Sequence, residues 1–149
     1  MSTLPDGIDD GTGYAQTPGS SYALFPTALQ KAAQMHTEAE SISFNGLVKD
    51  GTILGSHQWP IQTVLMWIEI RADGDAPSGS ASTVQVSIGG TLQSQVFSLT
   101  AGSNYSGLIS VNGGAGYTVA AATTVVVTLV NGNGASDVKV RLHYQKVIL

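Results

Sequence analysis

Downstream of residue 41 the chain alternates apolar and polar positions with a period of two, the repeat of a half-buried strand. The clearest instance is residues 82–88, where Val84, Val86 and Ile88 point one way and Thr83, Gln85 and Ser87 the other. The same reading predicts strands over 41–48, 58–71, 92–99, 105–111, 117–119, 123–130 and 137–148. Turn-forming groups separate them: Asp73-Gly74, Pro77-Ser78-Gly79, Gly89-Gly90, Ala101-Gly102, Asn112-Gly113-Gly114 and Asn131-Gly132-Asn133-Gly134. About eight short strands with turns at this spacing predict an all-β fold, an antiparallel β-sandwich of jelly-roll-like design. The pattern contains no βαβ unit, so a nucleotide-binding sheet is not expected. Trp67, set among Val64, Leu65, Met66, Ile68 and Ile70, is expected in the core.

The chain before residue 42 follows neither period. Gly and Pro punctuate it too often for a regular element. Isolated apolar residues dot it, and Leu4, Ile8, Tyr14, Tyr22, Leu24 and Phe25 are the expected anchors of an extended arm laid on a partner surface. By itself such a segment buries too little to offset its ordering entropy. One short helix is predicted within it, over about 27–40. Thr27 can cap it, Gln30 stands at the capping-box position, and the interior is rich in helix formers. The expected organisation is therefore an arm over 1–41 and a sandwich domain over 42–149.

Composition narrows the function. Charged residues make up 11% of the chain, well under the roughly 25% of an average globular protein. Ser, Thr, Gly, Asn and Gln replace them, and a neutral polar surface suits broad contact with other subunits. The net charge is −4 and the six Lys and Arg are scattered, so no basic footprint for nucleic acid is present. No cysteine is available for disulfides or thiolate metal sites. The apolar run 119–130 is broken by threonines and too short to cross a bilayer as a helix, so no membrane partner is expected. Residues 1–13 lack the basic and apolar regions of a secretory leader, which predicts synthesis in the cytoplasm.

No catalytic constellation stands out, and no enzyme activity, cofactor or metal is expected. His36, His57 and His143 are dispersed, with no pair at helical zinc spacing. His143 lies on the face opposite Val138, Val140, Leu142 and Tyr144, and is expected to be an exposed strand residue. Asp73-Gly74-Asp75 offers too few oxygens for calcium and reads as a turn. Asp6, Asp9 and Asp10 lie in the arm, where nothing would fix their separation for glycoside hydrolysis. Tyr105 and Tyr117 flank Gly-rich loops and are expected to face outward, where a sugar could stack on them.

From Ile61 onward the chain resembles a β-sandwich module of tailed-bacteriophage virion proteins. The likeness is carried by Ala76-Pro77-Ser78-Gly79-Ser80, by the strand Thr83-Val84-Gln85-Val86-Ser87-Ile88 with its turn Gly89-Gly90-Thr91, by Phe97-Ser98-Leu99-Thr100-Ala101-Gly102-Ser103, and by Val138-Lys139-Val140-Arg141-Leu142-His143-Tyr144. The module's usual Gly-Asp pair before its penultimate strand is replaced here by Ala120-Ala121-Ala122-Thr123-Thr124. The resemblance implies a virion component and carries no catalytic residue. It leads to the expectation of a capsid decoration, or cement, protein on the capsid surface. Its partners would be major capsid protein subunits and further copies of itself, with a trimer favoured, and it would clamp by many modest contacts. The alternative is a head- or tail-fibre adhesin that binds a host surface glycan.

Overall fold

The computed structural model describes residues 37–148. Ten strands run in chain order: β1 Thr37–Leu47, β2 Ile53–Gln58, β3 Thr63–Ala72, β4 Ser82–Ile88, β5 Thr91–Leu92, β6 Phe97–Leu99, β7 Ile109–Ser110, β8 Tyr117–Val119, β9 Thr124–Asn131 and β10 Ser136–Lys146. A single 3-10 turn, Asn112–Gly114, precedes β8. The strands form two antiparallel five-stranded sheets, a β-sandwich as the alternation predicts. Sheet I has the order β2-β9-β4-β5, with β6 also paired to β4. Sheet II has the order β1-β10-β3-β7, with β8 also paired to β3.

Burial explains the order. The strands with the densest apolar alternation take the centres of the sheets. Val125, Val127 and Leu129 of β9 meet Val84 and Val86 of β4, while Val138, Val140 and Leu142 of β10 lie beside Leu65, Ile68 and Ile70 of β3; all are fully buried. Phe97 and Leu99 of β6 and Val119 of β8 close the core on the far side. The β4–β5 hairpin turns on Gly89 and Gly90, both with positive φ (57° and 83°), as a two-residue turn matched to strand twist requires.

Gln95 joins the two sheets on that side. Its side-chain amide donates to the Ser110 carbonyl (2.8 Å) and its oxygen accepts the Asn112 N–H (2.7 Å). On the opposite side, Ile42 of β1 lies over Gly55 of β2, where any Cβ would overlap the isoleucine. At one end, Gly132 donates to the Asp50 carboxylate (2.8 Å) and its carbonyl accepts the Ser82 hydroxyl, so the end of β9 is tied to the loop before β2 and to the start of β4.

Several expectations need correction. The helix expected over 27–40 falls outside the described residues as far as 36, but residues 37–40 are strand, paired in register with β10 from Thr37↔Gln145 to Glu40↔Leu142. The sandwich thus already includes residues 37–41, ahead of the expected boundary at 42. Pairing to a long apolar neighbour outweighs the local helix propensity of these residues. Of the strand expected over 58–71, residues 63–71 form β3, while Gln58 ends β2 in the other sheet and Trp59-Pro60 lies in the break between them. The segment 92–99 is likewise interrupted, and only two residues of 105–111 form a strand. Strand β2, rich in Gly, Ser and His, carried too little alternation to be predicted.

Trp67 is not in the core. The β3–β10 register shifts between His143 and Tyr144, which pair with Trp67 and Leu65, leaving Met66 as an extra residue. Such a bulge reverses the side-chain parity of the strand. Leu65 and Ile68 therefore point inward, and Trp67 shares the outer face with His143. Trp59 is the core tryptophan, at 3% exposure.

Candidate interaction surfaces

The two outer faces of the sandwich differ in kind. Between residues 76 and 136 the chain has no Asp, Glu, Lys, Arg or His. That stretch supplies β4 to β9, and so nearly all of sheet I. One row of residues crosses the outer face of this sheet from edge to edge: Ser56, Val126, Ser87 and Leu92. A neighbouring row holds Ile53, Thr128 and Gln85, and another Asn131, Thr83 and Ser98. Side-chain amides bond to hydroxyls or carbonyls along the face, from Gln58 to Thr124 (2.9 Å), from Asn131 to Thr83 (3.3 Å) and from Gln85 to the Gln93 carbonyl (3.2 Å). The face is neutral and apolar in patches, with Ile53 61% and Leu92 58% exposed at its two borders.

The outer face of sheet II is charged. Its rows are Ser43, Lys139 and Arg71; then Ser41, Arg141 and Glu69; then Ala39, His143, Trp67 and Ser110. Glu69 is at the centre and only 8% exposed. It hydrogen-bonds to His143 Nε2 (2.5 Å) and lies 4.0 Å from Arg141 Nη1. The segment holding Tyr105 covers it from the side. Asn104 accepts from Ala72 N–H, and Ser106 exchanges bonds with Ile70, which fixes Tyr105 beside β3. The Tyr105 hydroxyl donates to Glu69, and the Arg71 guanidinium lies 4.7 Å over its ring. Burial pushes the Glu69 carboxyl up, but the bonds from His143 and Tyr105 and the charges of His143 and Arg141 outweigh it, so its pKa falls below the ordinary 4.5. The same bond to Glu69 raises the Tyr105 phenol.

A third cluster closes the end of the sandwich where β1 begins. Trp59 packs between the rings of Tyr144 (4.8 Å) and His57 (4.9 Å). Tyr144 donates to Glu38 (3.1 Å), which also meets Lys146 (3.3 Å), and His57 lies 3.7 Å from Glu40. Burial, and secondarily the bond to Glu38, raise the Tyr144 phenol. The buried Trp59 Nε1 has no hydrogen-bond partner of good geometry.

The arm anchors Leu4, Ile8, Tyr14, Tyr22, Leu24 and Phe25, with His36, Asp6, Asp9 and Asp10, lie outside the described residues. His143, expected exposed, is half-buried against Glu69, and His57 lies within β2. Tyr105 is 45% exposed, whereas Tyr117 is partly buried against the core. The Glu69–His143 pair was invisible in sequence because its members stand 74 residues apart. It is a carboxylate–imidazole dyad, but among the described residues no hydroxyl or thiol bonds to the imidazole as a nucleophile would. No group of three or more His, Cys, Asp or Glu among the described residues could hold a metal, and no helix among them is long and apolar enough to cross a membrane. No protein-family model matches the chain, and no curated protein matches it.

Proposed function

We propose that the protein is a non-enzymatic structural module, specifically a capsid decoration protein that clamps neighbouring major capsid protein subunits through its sandwich and N-terminal arm. The observation that carries this reading is the charge-free outer face of sheet I. Burying such a face within an assembly, against a capsid subunit or a further copy of the chain, strips water from no ion, so the desolvation penalty that opposes charged interfaces is absent. The likeness of residues 76–103 and 138–144 to phage virion modules points to the virion as the place of assembly. The test is antibody labelling of gradient-purified phage particles from the culture that yields the protein. Dense, regular labelling of the shell is expected, and absence from the particles refutes the reading.

One observation favours the fibre alternative. Tyr105 is exposed on the charged face beside Arg71 and Glu69, a combination of aromatic and hydrogen-bonding groups that suits a sugar. Labelling confined to a fibre, together with glycan binding lost in Tyr105→Ala, would decide for that role.

A further inference from the structure

We propose that the neutral outer face of sheet I docks on the same face of a second copy of this chain. The inference rests on the docking role given to that face above, but not on the virion assignment. Three observations select a second copy as the occupant.

Charge is the first. Each chain carries a net −4, so two copies repel wherever their charged surfaces meet. The outer face of sheet II would set Arg71, Lys139 and Arg141 against their own counterparts. The outer face of sheet I carries no ionisable side chain between residues 76 and 136, so two copies joined there bring no charge of that stretch against another.

The second is the placement of two exposed apolar residues on this face. Ile53 stands at the β2 border and Leu92 at the β5 border, in rows two residues apart along the strands. A twofold axis parallel to the strands lays the β2 border of one copy over the β5 border of the other. Each exposed Ile53 then meets the neighbourhood of a Leu92, and one operation covers both residues in both copies. A self-complementary patch of this kind is what an isologous contact requires.

The third is the relief of the face. Its central positions are Ser87, Val126, Thr128 and Gln85, short or already engaged in the sheet, with no long charged side chain to hold two sheets beyond the ~10 Å of sheet-on-sheet packing. Little side-chain entropy is lost when such residues are covered.

The absence of cysteine gives a clean probe. In the full chain, Ser87→Cys puts one thiol at the middle of the neutral face, and Ser43→Cys puts one on the exposed outer face of sheet II. Sedimentation is expected to give twice the 15.3 kDa chain mass for the wild type and both variants. In the dimer, maleimide should label Cys at 43 quickly and Cys at 87 at least tenfold more slowly. Ser87→Lys should raise the dissociation constant on the order of a hundredfold, because an ammonium would be buried without a partner. Ser43→Glu should leave it unchanged, and circular dichroism checks that each variant is folded. A monomeric wild type overturns the proposal, whether position 87 is reactive or is protected by the chain's own first 36 residues. An oligomer in which position 87 labels as fast as position 43, or a trimer, overturns it as well. None of these results bears on whether the protein is found on particles, so the two readings fail separately.

Discussion

Two glycines with the same positive φ give a direct test of how the far edge of sheet II is held. Gly79 and Gly116 both have φ of 78°. A Cβ on Gly79 would meet nothing within 4 Å. On Gly116 it would stand 2.6 Å from Val64 Cγ1, 2.8 Å from the Leu65 carbonyl oxygen and 3.0 Å from Met66 Sδ. The valine methyl and the methionine can turn aside. The carbonyl cannot, because it belongs to the backbone of β3, where Leu65 pairs with Tyr117 of β8. Alanine at either site takes on the left-handed conformation at a cost of about 1–2 kcal/mol. Only at Gly116 does overpacking add about 1–3 kcal/mol, by forcing β8 away from β3. Against a total stability on the order of 5–15 kcal/mol, Gly116→Ala is a severe change and Gly79→Ala a modest one. Urea denaturation at pH 7 measures both. The difference between the variants isolates the steric part, because the backbone part is common to the two. Equal midpoints, or a larger loss at Gly79, would refute the packing assigned to the 3-10 turn and β8.

Other predictions follow from the same geometry. Glu69→Gln should lower stability by about 1–2 kcal/mol at neutral pH, since a charge-assisted bond to the half-buried His143 is lost. The Glu69 pKa is depressed in the fold, so its contribution is complete above the ordinary value of 4.5 and is lost as pH falls through the lower folded value. Urea midpoints from pH 7 to pH 3 should therefore converge for wild type and variant at the acid end. Trp59→Phe keeps the ring against Tyr144 and removes a buried donor that has no partner, so it should cost about 1 kcal/mol or less, whereas Trp59→Ala should cost about 3–5 kcal/mol; thermal melts distinguish them. A chain beginning at Thr37 should unfold in one cooperative transition. One beginning at 42 loses the pairing of residues 37–41 with β10 and should melt at least several degrees lower by calorimetry.

Charge segregation between the faces has a further physical consequence. Sheet II can place Glu69 under a roof of tyrosine because histidine and arginine neighbours hold its charge in place. The outer face of sheet I contains no such group, and its polar side chains are satisfied by amide and hydroxyl bonds within the face. The first surface gains its order from ion pairing that salt weakens. The second is indifferent to salt and pH, which suits contact between subunits under varied conditions.

The amino-acid sequence by itself determined the strand period, most of the turns and the stretch from 76 to 136 without a charge. Those are local or compositional properties, and strand β4 was legible to the residue because its alternation is uninterrupted. Only the tertiary structure decided which strands are neighbours, since strand pairing joins distant segments that share no local signal. It placed β9 and β10 at the centres of opposite sheets, converted residues 37–40 from expected helix to strand, and brought Glu69 to His143. The single extra residue at Met66 turned Trp67 to the outer face. A period-two pattern records alternation but not phase, and one bulge inverts the phase of every residue beyond it.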